Sequence, residues 1–330
     1  MNVLRQKMYF RTQSPVLLSK IMVGLLAAVV ATTGCGIENT ESAFQSAWPK
    51  DCRRVWLGPE YWANPLQDWQ VRDGRIECVQ SGGDRNVFLL THELTEKNGT
   101  LGMTVIVGPL GQDSGQLNDG WVGFKVGIRG RFNDYRDSAV RGDGLPVGIH
   151  TDGRLFIGKL EPSAEKVPSL SKPIGLMVTA EPIERAYSVT LQAYDKGGKK
   201  IAELRRNNID PDWLIGGVAL VCSHGKIPNT PEKRPHVEYG NWGFRTGTAR
   251  GGNVRFWFSD WLVYGSKVRA YRERTFGPIL FSQYTLSDGI MKMTAQMPPI
   301  GENDSQHVEL QVKNNSKWTS LGTALSLIHI

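Results

Sequence analysis

The sequence lacks several features that mark common functional classes. No run of five or more like charges occurs after the N-terminal segment, and no window keeps a sustained helical period of apolar residues. The six histidines lie singly, and no Cys/His spacing resembles a zinc site. Four of the 39 basic residues belong to the N-terminal segment, which leaves 35 against 32 acidic residues, a net charge of +3. Nucleic acid is therefore not expected as a partner.

One long apolar run is present, and it lies at the N-terminus. The stretch IMVGLLAAVVATTGC, residues 21–35, is preceded by cations and no acid, and it is too short for a stable membrane span. It predicts an export signal over residues 1–34. The small residues before Cys35 resemble the lipobox of bacterial lipoproteins, although Thr32 stands where that family usually has Leu. The four preceding cations are Arg5, Lys7, Arg11 and Lys20.

The lipobox resemblance implies that Cys35 is acylated and becomes the new N-terminus. The chain would then be attached to a membrane by its lipid, in the outer membrane or the periplasm, because each buried CH₂ adds about 0.8 kcal/mol of membrane affinity. The alternative is ordinary signal cleavage nearby, with Cys35 as a bystander.

Three further cysteines, Cys52, Cys78 and Cys222, remain for an exported chain that can keep disulfides. Cys78 and Cys222 fall in apolar runs, where a thiol behaves as a small apolar group. A bridge between Cys78 and Cys222, a bridge between Cys52 and Cys78, and buried free thiols all stay open.

Short strands and tight turns dominate the middle of the chain. In WQVRDGRIECV, residues 69–79, the pair Asp73-Gly74 predicts a two-residue hairpin with Val71 opposite Ile76 and Trp69 opposite Cys78. Two further hairpins are predicted, one at Asp152-Gly153 and one at Gly197-Gly198. Other strands are predicted at residues 86–90, 103–107, 121–128, 175–179, 217–222 and 254–264.

This pattern predicts an all-β fold. Many evenly spaced strands without interleaved amphipathic helices favour a sandwich or barrel over βαβ units. After a linker at residues 35–47, residues 48–270 are too many for one immunoglobulin-type unit of about 100 residues. A large jelly-roll sandwich of the concanavalin or laminin-G type is expected.

The character of the sequence changes after Arg274. Residues 276–324 predict an incomplete fibronectin-like β domain, because Val308, Leu310 and Val312 alternate with polar residues and few strands follow. The tail at residues 325–330 has no turn, cap or charge, and it resembles translated read-through of a sequencing adapter.

Three stretches resemble a known family: WPKDCRRVWLGPEYWANPLQDW at 48–69, DGRIEC at 73–78, and FGPILFSQYTLS with MKMTAQMPP at 276–299. They are similar to the non-catalytic N-terminal region of bacterial alkaline phosphatase D-like metallophosphoesterases. The resemblance implies that a concanavalin-like sandwich and a fibronectin-like domain precede a phosphatase domain that this chain does not contain.

No catalytic residue is predicted. A two-metal phosphoesterase needs clustered Asp, His and Asn ligands, and the GDxxD and GNH phrases of the family are missing from the sequence. By the resemblance, metal ions are expected only in the missing phosphatase domain.

Two weaker site hypotheses remain. Calcium could be bound by oxygen ligands in loops flanking the strand at Trp121, against the alternative of solvated turn residues: Asn118, Asp119, Asn133, Asp134 and Asp137. Aromatic faces near the N-terminus could stack on sugar rings, against the alternative of core packing. The residues predicted to stack are Trp56, Tyr61 and Trp62, with Trp69 in the same stretch.

Three function classes compete on this basis. The first is an ancillary, non-catalytic lipoprotein region of a metal-dependent phosphodiesterase or alkaline phosphatase. The second is a stand-alone carbohydrate-binding sandwich at the cell surface, with a glycan as its partner. The third is a structural envelope lipoprotein. The partial second domain favours the first.

Overall fold

Antiparallel strands are the main secondary structure of the computed structural model, which describes residues 43–111, 117–132, 134–162, 164–235, 249–314 and 316–325. Within these ranges the helical segments are α1 (Tyr135–Arg141) and two 3₁₀ turns, Leu66–Asp68 and Pro211–Leu214. The strands are β1 (Phe44–Gln45), β2 (Tyr61–Asn64), β3 (Trp69–Arg72), β4 (Arg75–Cys78), β5 (Arg85–Leu94), β6 (Leu101–Pro109), β7 (Gly120–Arg129), β8 (Asp143–His150), β9 (Leu155–Ile157), β10 (Ile174–Ile183), β11 (Ala186–Tyr194), β12 (Lys200–Ile209), β13 (Gly216–His224), β14 (Phe256–Tyr264), β15 (Val268–Ala270), β16 (Phe281–Ser287), β17 (Ile290–Gln296), β18 (His307–Asn314) and β19 (Lys317–Leu325).

Two sheets face each other across one core. The front sheet has the order β12-β11-β10-β6-β14-β4-β3, with β1 paired to β14. The back sheet has the order β15-β5-β13-β7-β8-β9, with β2 paired to β5. The predicted fold class, a large concanavalin-like β-sandwich, is confirmed. Among the described helices, none has the length and apolar character needed to cross a membrane.

The three predicted hairpins are present, and the hairpin at Asp73-Gly74 has the predicted register. Trp69 lies opposite Cys78 and Val71 opposite Ile76, because Asp73 and Gly74 adopt the positive φ angles of 53° and 76° that this tight turn requires. The turn at Gly153 joins β8 to β9, and the turn at Gly198 joins β11 to β12. The other predicted strands correspond to β5, β6, β7, β10, β13 and β14.

The core is rich in aromatic side chains that alternate toward the sandwich interior. Trp69 and Trp261 are fully buried. Trp261 contacts the ring of Phe44 with a centroid distance of 5.6 Å. Phe44 therefore belongs to the sandwich through β1, although it precedes the predicted domain start at residue 48. The predicted signal and residues 35–42 of the predicted linker lie outside the described residues.

Two hairpins follow the sandwich. The pair β16-β17 and the pair β18-β19 form separate two-stranded sheets in this part of the chain, and many apolar side chains on them are exposed. The Phe276 ring packs edge-on to Trp62 at 4.7 Å, and Arg54 forms an ion pair with Asp304, so the region is attached to the sandwich. A fibronectin-like domain stays a prediction here. The exposed side chains include Phe281, Tyr284, Leu286, Ile290 and Leu321.

The predicted tail at residues 325–330 overlaps the last strand by one residue. Leu325 ends β19 and lies opposite His307. Residues 326–330 lie outside the described ranges, and the origin of the tail stays a prediction.

His92 makes the stability of the sandwich dependent on pH. Its ring packs 5.3 Å from the Phe44 ring, and burial, with Arg272 nearby, lowers its pKa from 6.5 to about 4. As the pH falls, the unfolded chain therefore binds the proton first. The contribution of His92 to the free energy of unfolding is fully present above about pH 6.5 and is lost as the pH drops toward 4.

We expect the free energy of unfolding to fall by about 1 to 2 kcal/mol over this range through His92 alone, after allowance for partial solvent screening. Urea titrations of the wild type and His92→Gln at pH 7.5 and 4.5 measure the effect. The variant should lose less stability on acidification than the wild type. Equal losses would show that His92 does not contribute to the dependence.

Candidate functional site

A groove of about 750 Å³ lies at one end of the back sheet, between α1 and the segment that follows β15. We call it the α1 groove. The Phe88 ring and the main chain of Gly217 form part of its floor. A Cβ atom at Gly217 would lie 2.2 Å from the Phe88 ring, so the absence of a side chain lets the ring cover β13. Further lining residues are Glu93, Leu94, Thr95, Glu96, Lys97, Ile128, Arg129, Asp134, Tyr135, Ser138, Ile215, Gly216, Ser266, Val268, Arg269, Ala270, Tyr271 and Arg274.

An arginine lies between two tyrosines in the wall of the groove. The guanidinium carbon of Arg274 is 3.5 Å from the ring centroid of Tyr271 and 4.7 Å from that of Tyr135. The same guanidinium forms an ion pair with the Glu93 carboxylate. Cation–π contacts and the ion pair together restrict the orientation of all four side chains. The wall is therefore preorganised, and its groups are only half-buried.

Tyr271 is a hydrogen-bond donor in this wall. Burial raises its pKa above the usual value, and the hydrogen bond with Glu93 raises it further. The phenol therefore stays protonated at neutral pH and donates to the Glu93 carboxylate. Its backbone N–H donates to the Thr91 carbonyl at 2.7 Å, which fixes the segment after β15 against β5.

Helix α1 supplies Tyr135 to the wall that Arg274 and Tyr271 form. Asp134 is the N-cap of the helix, and its carboxylate accepts a hydrogen bond from the Arg136 backbone N–H at 2.8 Å. The hydrogen bonds from Arg136 lower the pKa of Asp134 to about 2, so the cap is ionised at neutral pH. The buried Ala139 packs in one cluster with Phe88 and Leu90 of β5. Capping and packing thus fix the helix on the back sheet.

Charged groups of both signs surround the apolar floor. Arg129, Arg269 and Lys97 supply hydrogen-bond donors, and Glu96 and Asp134 supply carboxylate acceptors. A ligand with many hydroxyl groups can both donate and accept hydrogen bonds. It can therefore bind to the cationic donors and the carboxylate acceptors of the groove at the same time. The arrangement is suited to binding a polar ligand that also has an apolar face.

The aromatic residues predicted to stack on sugar are not in the walls of this groove. Tyr61 points into the sandwich core, where its ring lies 5.3 Å from Trp48. Trp56 is buried, and its Nε1 donates to the Phe276 carbonyl at 2.9 Å. The stacking interpretation is corrected for both, because packing covers their rings. Trp62 is half-buried on the outer face of the back sheet and packs against the cluster that contains Phe88. Trp69, of the same stretch, is fully buried.

The residues predicted to bind calcium do not converge. Asn118 and Asp119 precede β7, whereas Asp134 and Asp137 follow it, and the ten residues of β7 span about 30 Å. Asp119 accepts from His150 Nε2 at 2.7 Å, and Asp137 accepts from the Phe132 backbone N–H at 3.1 Å. Asn133 lies outside the described residues. Within those residues, no group of three or more His, Cys, Asp or Glu side chains is placed to hold a metal ion. Calcium binding stays a prediction, but these residues do not form one site.

The structure separates the three predicted disulfide cysteines into a pair and a single residue. Cys78 and Cys222 are fully buried and share the main core cluster. Cys52 is half-buried, and Gly301 lies beside its sulfur. All three are described as free thiols. Cys35, the predicted lipidation site, lies outside the described residues.

The groove residues were missed because they come from distant parts of the chain. Glu93, Tyr135, Tyr271 and Arg274 lie in different sequence segments, and each is unremarkable there. The one local signal was the cluster of aromatic and charged residues in YRERTF at 271–276, directly after the last sandwich strand.

No protein-family model matches the sequence, and neither does any curated protein. Solved structures with a similar arrangement include the carbohydrate recognition domain of Emp47p, at 13% identity and a TM-score of 0.36, over 69% of this chain and 98% of that one. They also include lectin II from Ulex europaeus, at 9% identity and a TM-score of 0.41, over 69% of this chain and 99% of that one. Peanut lectin has 10% identity and a TM-score of 0.42, over 69% of this chain and 98% of that one. Function has to be argued from the groove itself.

Proposed function

We propose that this chain is a non-catalytic carbohydrate-binding β-sandwich, with the α1 groove as its binding site. The Arg274 stack between Tyr135 and Tyr271 is the observation that carries the proposal. A sugar ring has an apolar C–H face and a rim of hydroxyl groups. Partly exposed tyrosine rings can contact that face, while neighbouring charged side chains bind the hydroxyl groups.

The preorganised wall supports this proposal energetically. Binding costs less when the side chains of a site are already ordered, because little rotamer entropy is lost. Glu93 and Arg274 are held by their ion pair, and Tyr271 is held by its backbone and side-chain hydrogen bonds. A saccharide entering the groove therefore meets fixed donors, acceptors and ring faces.

The test begins with a glycan array probed with the full chain, followed by calorimetric titration of the best-bound oligosaccharide. We expect Tyr135→Ala and Arg274→Ala each to weaken binding by about tenfold, a loss of about 1.4 kcal/mol, because each substitution removes part of the preorganised wall.

A matched control is available on the opposite face of the sandwich. Trp257 of the front sheet also packs against an arginine, with the Arg75 guanidinium carbon 4.8 Å from its ring. Trp257→Ala should leave affinity within about twofold of the wild type, because it lies outside the groove. Equal losses in all three variants, or no saccharide bound at all, would contradict the proposal.

We also propose, from the sequence, that Cys35 is lipidated and anchors the exported chain to a bacterial membrane. Metabolic labelling with palmitate should mark the wild type but not Cys35→Ser. Equal labelling of both would overturn this proposal.

An ancillary role in a metal-dependent phosphoesterase is the second candidate function, and it rests on the sequence resemblance at residues 48–78 and 276–299. The hairpins β16-β17 and β18-β19, attached to the sandwich through Phe276, are consistent with a second β unit after it.

If the chain has this ancillary role, the purified protein should not hydrolyse a chromogenic phosphodiester, with or without added divalent metal. The DNA downstream of the Ala324 codon should encode GDxxD and GNH motifs, and an early stop codon would count against this role.

A further inference from the structure

Cys78 and Cys222 lie on opposite sheets of the sandwich. Cys78 is the last residue of β4 in the front sheet, and Cys222 belongs to β13 in the back sheet. Both side chains have no exposed surface. A covalent bond between them would therefore cross the core and join the two sheets.

The two thiols are neighbours in the core. Both belong to the main core cluster, and the proximity of Cys222 raises the pKa of Cys78. Each sulfur also has a main-chain acceptor, Gln80 O at 3.5 Å for Cys78 and Val254 O at 3.4 Å for Cys222. Rotation of these neighbouring side chains would bring the sulfurs to the bonded distance of about 2 Å.

Neighbouring backbone contacts hold this arrangement. Arg85 of β5 lies opposite Cys222 in the back sheet, and its guanidinium binds Asp68. The Asp68 carbonyl accepts from the Val79 backbone N–H at 2.9 Å, next to Cys78. The two cysteines thus flank one buried ion pair, so the register of strands in both sheets determines their approach.

We propose that Cys78 and Cys222 form a disulfide that links the two sheets when the chain folds in an oxidising compartment. One thiolate attacks a disulfide oxidant, RSSR, and forms a mixed disulfide with release of RS⁻. The second thiolate then displaces the remaining RS⁻. The chain loses two hydrogens and is oxidised, and the oxidant is reduced to two RSH.

The bond must form before the sandwich closes. In the folded, reduced chain the neighbouring Cys222 thiol and burial hold the pKa of Cys78 well above its usual value, so almost no thiolate is present to react. The oxidant also has no access to a sulfur without exposed surface. Cys52 lies apart, beside Arg54 and Asp304, and stays a thiol.

The experiment uses the full chain, refolded from the reduced and denatured state in a glutathione redox buffer. N-ethylmaleimide then labels free thiols under denaturing, non-reducing conditions, and mass spectrometry of the digest identifies linked peptides. We expect a peptide pair joining Cys78 to Cys222, with Cys52 labelled. Chain isolated directly from a bacterial periplasm serves the same assay without refolding.

Stability gives a second readout. The oxidised chain should melt about 5 to 15 °C above the reduced chain, because the bond closes a long loop. Cys52→Ser should leave this difference unchanged. Labelling of all three cysteines in both preparations, or a linked peptide containing Cys52, would overturn the proposal.

Discussion

Replacing Asp68 with alanine is expected to lower the free energy of unfolding by about 3 to 5 kcal/mol, since it removes one partner of a buried ion pair. The Asp68 carboxylate has no exposed surface and accepts from Arg85 Nε at 3.0 Å. Its other oxygen accepts from Arg250 Nη2 at 2.7 Å. The Arg85 side chain is only 2% exposed, so the substitution removes a carboxylate that pairs with a buried guanidinium.

An exposed pair provides the control for this prediction. Arg72 and Asp73 form an ion pair at 3.4 Å, with side chains 51% and 66% exposed. Arg72→Ala should change stability by no more than about 0.5 kcal/mol. Urea titration at pH 7 measures both variants. If Asp68→Ala lowers the free energy of unfolding no more than Arg72→Ala does, the buried pair does not stabilise the fold.

Replacing Trp261 with alanine should lower the free energy of unfolding by about 3 to 5 kcal/mol, because it leaves a large cavity in a close-packed core. Trp261 is fully buried between the two sheets. Its ring stacks at 6.4 Å on Tyr61 and meets Phe44 edge-on at 5.6 Å. The substitution would therefore loosen the packing of β14 against both β1 and β2.

The control for Trp261 lies four residues earlier on the same strand. Trp257 points outward and lies against Arg75. Trp257→Ala should lower the free energy of unfolding by only about 1 kcal/mol, since the ring is partly exposed and packs on Arg75 and Gly108 at the surface rather than in the core. Thermal unfolding followed by circular dichroism distinguishes the two variants. A similar loss in both would contradict the assigned orientations.

Local features of the fold were predictable from the sequence. Asp73-Gly74 determines the register of β3 and β4, because a two-residue turn pairs Arg72 with Arg75 and therefore Val71 with Ile76. The turn residues Gly197-Gly198 likewise predicted the hairpin that β11 and β12 form. Both depend on residues within a short stretch of chain.

Irregular strands and long-range pairings were not predictable in the same way. In β14 the inward positions are Phe256 and Phe258, then Trp261 and Val263. The alternation shifts because the strand is bulged and Asp260 adopts a φ of 54°. The pairing of β1 with this strand joins residues more than two hundred positions apart, and local pattern cannot specify it.

The candidate site illustrates the same limit. A count of aromatic residues pointed to Trp56, Tyr61 and Trp62, but the count does not say which face of a strand each ring occupies. In β2 the buried Tyr61 faces the core, and Trp62 faces away from it. Tyr135 and Tyr271 meet only because α1 packs on the back sheet next to β15, which is a tertiary contact.

Hydrogen exchange measured by mass spectrometry, with and without the best-bound oligosaccharide, tests the central claim most directly. If the α1 groove binds saccharide, backbone amides in three segments should exchange more slowly in its presence: residues 93–97, 134–138 and 266–274, which line the groove. Amides at the far end of β7, around residues 118–120, should not change. Protection at that far end, or on the front sheet around Trp257, with none in the groove segments, would contradict the account.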